Sequence, residues 1–291
     1  MATNSPVAII TGGASGIGLA TVERLVELGW NVSIIDFNGA GADIAKCLGE
    51  QTFFHQANVA SYEAQADVFS QTYKRWGRID FVNHGNFVEQ GILDREDFCA
   101  PSEASGDDGP PRPDVLVIDV DLYGVVWSTY LALHYFRKNA SKAGKLAMTS
   151  SSAGIYACSE IPLYAAAKHG IIGLARGLGK RMKEQGEPIT VNAILPGMVA
   201  TGILSGEIVQ SVPLQYKTPA SLIVDAVEMI LKDDSLTGQA IECSGAEIVL
   251  RPALPFVNKA SEYTAGGKYR EGGNADAVLQ FGQQRGRQFD M

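Results

Sequence analysis

Several things are scarce in this chain, and each scarcity narrows what it can be. Only four of its 291 residues are cysteine. Cys47, Cys99, Cys158 and Cys243 lie far apart with no C-x-x-C pair, so free, buried thiols in a reducing compartment are expected. Positive charge is short: 24 Lys and Arg face 32 Asp and Glu, a net charge of −8. That balance argues against a nucleic-acid partner. No uninterrupted apolar run is long enough to cross a bilayer. The opening MATNSPVAIITGG has no basic stretch followed by a signal-peptide apolar core. A soluble, cytoplasmic protein with no membrane partner is expected. Charged residues at 19% and hydrophobic residues at 46% give no sign of bulk disorder. The length suits one large α/β domain.

What is present centres on Ser151 to Lys168, SSAGIYACSEIPLYAAAK. Tyr164 and Lys168 are four apart, which on a helix puts them on one face, a turn apart. A free phenol ionises near pH ~10 and is a poor base at neutrality. A neighbouring ammonium favours the phenolate, so Lys168 is expected to lower the Tyr164 pKa. Tyr164 would then exchange a proton with an alcohol or ketone, while Ser151 holds the same oxygen by a hydrogen bond. Ser150 and Ser152 are the near alternatives to Ser151.

The N-terminal half reads as a dinucleotide site. Val7 to Ile10 is a continuous apolar run, as in a strand buried on both faces. A glycine-rich turn follows, with Gly12, Ser15, Gly16, Ile17 and Gly18, and then a helical period through Leu19, Val22, Leu25 and Val26. Glycines let the backbone approach a pyrophosphate whose charge sits at the helix N-terminus. The next strand, Asn31 to Ile35, ends at Asp36, at about the spacing of an acid that binds ribose hydroxyls. A carboxylate there repels a 2′-phosphate. Phe37 and Asn38 bring no positive charge, and the next basic residue is Lys46. NAD is therefore expected over NADP.

The remaining pattern alternates strand and helix. Strands are expected at 53–59, 79–82, 145–149, 189–195 and 238–243, and helices at 61–76 (Ser61 as N-cap), from about 115 to 136, 162–183 and 219–232. This is an α/β chain with a doubly wound parallel sheet of seven strands in a single domain over 1–250, with a C-terminal extension, 251–291. Residues 100–113, rich in Pro, Gly and acid, read as a surface loop.

With these elements in order, the chain resembles the short-chain dehydrogenase/reductase family over about residues 5 to 250, which implies a Rossmann-type fold. Thr11-Gly-x-x-x-Gly-x-Gly18 looks like that family's cofactor turn, and Ser151, Tyr164 and Lys168 like its catalytic set. The resemblance implies further cofactor contacts: Asn58 and Val59 at the adenine, Asn83 and Gly85 in a stretch similar to Asn-Ala-Gly, and Pro196, Gly197, Val199 and Thr201 at the nicotinamide carboxamide. Tyr164 and Lys168 are implied as cofactor contacts too, Lys168 through the nicotinamide ribose. His84 stands where the family carries a small residue. It is expected to be a tolerated neighbour of the cofactor, the alternative being an imidazole that reaches a phosphate or the substrate. The long helices at 115–136 and 162–183 are implied to form the interface of a homodimer or homotetramer. By the family's layout 202–217 is a lid, whose apolar members (Ile203, Leu204, Ile208, Val209, Val212, Leu214) suit a lipophilic ligand.

One position departs from the pattern. The family's Asn-x-x-Gly stretch, whose asparagine supports a water linked to the catalytic lysine, is here Asp121-Leu-Tyr-Gly124. Asp121 either orders that water and pairs with Lys168, or its charge raises the Tyr164 pKa. The expected function is NAD(H)-dependent interconversion of a secondary alcohol and a ketone on a small, lipophilic or secondary-metabolite substrate. The order of motifs most resembles the hydroxyprostaglandin-dehydrogenase-like branch. The alternatives are a non-redox cyclisation or rearrangement on the same scaffold, and a non-catalytic NAD-sensing binder. No metal is expected.

Overall fold

The computed structural model describes residues 4–85, 112–201 and 210–267. Most of the Pro-rich loop at 100–113, the lid residues 202–209 and the tail beyond 267 lie outside them. The described chain runs β1 (Val7–Thr11), α1 (Gly16–Glu27), β2 (Asn31–Asp36), α2 (Gly41–Leu48), β3 (Thr52–Gln56), α3 (Tyr62–Trp76) and β4 (Phe81–His84). It continues with α4 (Leu116–Phe136), β5 (Gly144–Thr149), α5 (Pro162–Gln185), β6 (Ile189–Pro196), α6 (Ala220–Lys232), β7 (Ala240–Ser244) and β8 (Glu247–Arg251). The chain divides into two compact units, the first ending at Arg251. In the second, α7 (Lys259–Ala265) starts with a reciprocal cap between Asn258 and Ser261.

The first unit is one sheet in the order β3-β2-β1-β4-β5-β6-β7-β8. All pairs are parallel except β7 with β8, which is antiparallel. The seven-stranded expectation therefore falls one strand short. Alternate residues of each strand feed opposite faces. Ile9, Val82, Leu146, Met148, Val191 and Leu195 pack on one side under α3, α4 and α5. Ala8, Ile10, Ile34, Ala147, Ile194 and Ile241 pack on the other under α1, α2 and α6. Both faces are covered, so the central strands are buried along nearly their whole length and mostly apolar.

Three local details differ from the sequence expectation. β3 stops at Gln56, because Asn58 turns the chain by accepting a hydrogen bond from Ala60 N at 3.0 Å. Of the described cysteines only Cys243 is buried, while Cys47 is exposed and Cys158 half-buried. Finally, α4 is not one regular helix: Asp119–Tyr123 is a π-helical segment between two α-helical pieces. The 21-residue α4 has the length and hydropathy of a membrane span, yet it carries Asp119 and Asp121 and packs Val125, Leu131, Ala132 and Phe136 onto the sheet. It is a core helix.

Candidate active site

β1 and β4 are neighbours, and α1 and α4, the next described helices after each, pack on opposite faces of the sheet; a crevice forms at such a divergence beyond the strand ends. Thr11 ties the two ends together. Its backbone oxygen and its Oγ1 each accept a hydrogen bond from Gly85 N at 3.2 Å. Gly12 and Gly16 take φ of +64° and +51°, a region that favours glycine. A Cβ on Gly18 would stand 2.1 Å from Gly12 O, and one on Gly85 2.8 Å from Thr11 O. The turn is thus folded as tightly as backbone allows. Ser15 caps α1 in extended conformation without a side-chain hydrogen bond, so its hydroxyl leaves the first α1 amides to another acceptor. Ile17 follows, half-buried, at the start of the helix.

Asp36 closes β2 facing this turn. Its Oδ2 accepts from Ala14 N at 3.0 Å and its Oδ1 from Asn38 N at 2.9 Å. The carboxylate is therefore oriented by the glycine turn itself. Phe37, beside it, is 75% exposed. Asn58 and Val59 lie in the loop after β3, the neighbour of β2, and Ala57 N still bonds Asp36 O at 2.9 Å. Asn83 is buried in β4. On the other side, Pro196 ends β6, and Gly197 N donates to Cys243 O at 2.8 Å. A Cβ on Gly197 would stand 2.9 Å from Thr218 Oγ1. Val199 bridges to Thr218, and Thr201 lies so close to Gly16 that its Cγ2 would be 3.1 Å from a Cβ there. The expected pyrophosphate turn and carboxamide segment therefore meet. A tight glycine turn, uncapped helix amides and an oriented acid fit a nicotinamide dinucleotide.

Ser151, Tyr164 and Lys168 converge beside this crevice. Ser151 follows β5, and its Oγ accepts from Ala153 N at 3.2 Å. It also hydrogen-bonds Tyr164. Ser150 is occupied elsewhere: its Oγ donates to Lys168 O at 2.8 Å. The serine loop rests directly on α5, since a Cβ on Gly154 would stand 2.9 Å from Lys168 O. Tyr164 is 5% exposed, packed with Val117 and Ala153.

Lys168 and Asp121 are both fully buried and 3.3 Å apart, Nζ to Oδ2. Lys168 Nζ also lies 3.3 Å from Thr149 O and 5.3 Å from the Tyr164 ring centre. At an effective dielectric of about 20 the pair attracts by roughly 5 kcal/mol. Desolvating both ions costs several kcal/mol each, so the pair adds little net stability, while removing one partner strands the other. The tyrosine answers to both charges. Burial, then the Asp121 carboxylate, then Cys158 hold its ionisation above the ordinary tyrosine range, against the opposing hydrogen bond from Ser151. The expectation of a lowered Tyr164 pKa is thus reversed here. The cation meant to lower it is already engaged by a carboxylate.

His84 is fully buried, and neither ring nitrogen has a hydrogen-bond partner among the described residues. Burial pushes its pKa down to about 3, so it is neutral. Sequence reasoning passed over Thr149 and Cys158, which touch the site, and named Thr11 only as the start of the glycine turn and Ser150 only as an alternative to Ser151. Thr11 and Ser150 directly flank the motifs, which was the available signal.

The chain is similar to known proteins. A family model described as short chain dehydrogenase matches residues 6–208. A short-chain dehydrogenase/reductase of Penicillium rubens is 37% identical over 223 residues, covering 73% of this chain and 77% of its own. The Homo sapiens 15-hydroxyprostaglandin dehydrogenase, named as NAD(+)-dependent, is 29% identical over 261 residues, covering 82% of this chain and 90% of its own. A solved actinorhodin polyketide ketoreductase with NADPH shares the fold, with a TM-score of 0.68 at 23% identity, covering 84% of this chain and 98% of its own. The chain is a dehydrogenase/reductase with a Rossmann-type fold and a nicotinamide dinucleotide site, and it belongs to the short-chain dehydrogenase family.

Proposed function

We propose that this enzyme interconverts a secondary alcohol and a ketone with NAD(H), with Tyr164 as acid/base. The observation that carries the reading is the convergence of Ser151, Tyr164 and Lys168 at the mouth of the dinucleotide crevice. Ser151 orients the substrate oxygen. Tyr164 Oη gives that oxygen a proton in reduction and takes one in oxidation. Lys168, held on Asp121 and Thr149 O, is the donor for the nicotinamide ribose. The bound nicotinamide supplies the hydride acceptor or donor. Thr201, Val199, Gly197 and Pro196 hold its carboxamide, while Asn58, Val59, Asn83 and Gly85 line the rest of the crevice.

Asp36 supports NAD over NADP. Both its oxygens are already held by backbone amides, so its charge is fixed where a 2′-phosphate would sit. The named NAD(+) dependence of the hydroxyprostaglandin relatives points the same way. A small lipophilic or secondary-metabolite substrate is supported by those relatives' names and by Leu214 and Tyr216 of the 202–217 segment, which are 83% and 65% exposed. We further propose a cytoplasmic homodimer or homotetramer through α4 and α5.

The test is NADH formation or consumption against a panel of secondary alcohols and ketones, with NADP(H) offered in parallel, in wild type and Tyr164→Phe. Turnover with NAD(H) that disappears in the variant supports the reading. Product formation without any change in NADH absorbance would replace it with non-redox chemistry, a role a buried, protonated tyrosine also suits.

A further inference from the structure

Tyr164 has an ion pair for a neighbour rather than a lone cation. Asp121 arrives from α4 on the π-helical segment, Lys168 from the next turn of α5, and the two are 3.3 Å apart with no exposure. Among the described residues, Ser151 and Cys158 also act on the phenol, both from the loop between β5 and α5. Val117 of α4 and Ala153 complete its packing. Lys168 Nζ is nearer the Asp121 carboxylate than the Tyr164 ring centre, at 3.3 against 5.3 Å. A phenolate here would be a second anion sharing a cation already matched. With the tyrosine protonated, the charges of this buried cluster balance.

We propose that Asp121 holds Tyr164 as the neutral phenol through the neutral range, so that the site gives a proton to a ketone at any neutral pH but takes one from an alcohol only as the solution turns alkaline. This rests on the acid/base assignment of Tyr164 above and deepens it. In reduction the carbonyl carbon gains the hydride of the reduced dinucleotide, and the carbonyl oxygen gains the Tyr164 proton, which solvent then replaces. In oxidation the hydroxyl proton passes to the Tyr164 phenolate as the carbon gives up its hydride to the oxidised dinucleotide. Only the second direction needs the ionised form. Asp121 is a positioning residue, acting through Tyr164. The raised ionisation of Tyr164, with Asp121 among its causes after burial, agrees in direction.

The experiment is a tyrosinate absorbance titration of the full-length chain, taken as wild type minus Tyr164→Phe, which isolates one of ten tyrosines. It is repeated for Asp121→Asn against Asp121→Asn/Tyr164→Phe. Tyr164 is expected not to ionise near neutrality in wild type, and to ionise at least about one pH unit lower in Asp121→Asn. Reduction should be flat through neutrality, while kcat/KM for oxidation climbs roughly tenfold per pH unit. Asp121→Asn should move the bends of both profiles to lower pH together. A wild-type Tyr164 that ionises near pH ~7, or a titration unmoved by Asp121→Asn, overturns the proposal. Should Asp121→Asn fail to fold by circular dichroism, Asp121→Ser takes its place in the same titration, with the same outcomes. If the titration moves as expected but no redox turnover is found, the redox reading falls while control of Tyr164 by Asp121 stands.

Discussion

Gly18→Ala tests whether the glycine turn is built as tightly as described and whether α1 holds the dinucleotide. The new Cβ would stand 2.1 Å from Gly12 O, 2.7 Å from Gly12 C and 3.1 Å from Gly13 Cα, where ordinary contact begins near 3.4 Å. All three obstacles are backbone, so no side chain can swing aside. The turn and the start of α1 must part by roughly 1 Å, an overpacking that costs about 1–3 kcal/mol. In a chain of this size each kcal/mol lowers Tm by roughly 2–4 °C. The same displacement withdraws the first α1 amides from the pyrophosphate. Losing one hydrogen bond to a charged group is worth about 1.5–3 kcal/mol, hence about ten- to a hundred-fold in Kd. Thermal melting and NADH titration by fluorescence read the two effects separately. A lower Tm with unchanged NADH affinity would refute the role of α1 in holding the pyrophosphate. An unchanged Tm would refute the packing.

Three further outcomes are expected. Lys168→Met strands Asp121 as a buried charge and should cost about 3–5 kcal/mol by urea melting, much of it restored in Lys168→Met/Asp121→Asn; no restoration would deny the ion pair its place. His84 has a folded pKa of about 3 against about 6.5 unfolded, so between these values the unfolded chain carries a proton that the folded chain refuses. Stability therefore falls as pH drops below about 6.5, and His84→Ala should flatten that fall by close to one proton between pH ~7 and ~5, whatever its cavity costs at neutrality. In α5, a Cβ on Gly173 or Gly177 meets nothing within 4 Å in one copy of the chain. Alanine at both should stabilise a monomer by about 0.5–1 kcal/mol each, so a loss of stability that depends on protein concentration would mark the face as packed against a second copy.

Much of this was legible because parallel strands buried on both faces are written as continuous apolar runs. Val7 to Ile10 is such a run and is a strand, and Ile189 to Leu195, broken only by Thr190 and Asn192, is another. Ser61 announces α3 and caps it, accepting from Ala64 N at 3.2 Å. What escaped was written weakly. The β8 stretch, Glu-Ile-Val-Leu-Arg, lies at the sheet edge with Val249 and Leu250 more than a third exposed, so it lacks the buried signature of its neighbours. The eight-residue α2 leaves only Gly41 and Ala45 buried, too small a stripe to read. The partnership of Asp121 with Lys168 was one of two readings of a single changed residue. Only coordinates tell how close two side chains from different helices come.

The π-helical segment makes chain length itself part of the site. Along α4 the buried residues Val117, Asp121 and Val125 recur at intervals of four, and then Ser128, Ala132 and Phe136 follow at three, four and four. In a plain α-helix each interval of four drifts by about 40°. Two in succession would swing the helix start away from α5, and the wider π turn absorbs that drift. Deleting one residue of 119–123 would therefore close the wide turn into a plain α-helix, in which Val117 and Val125, then seven apart, differ by only about 20°. A further residue inserted there has no second wide turn to take it up and would carry Val117 round by about 100°, away from Tyr164. Insertion in this short segment thus acts on the phase of the whole helix start, a way of disarming the site that does not depend on which residue is inserted.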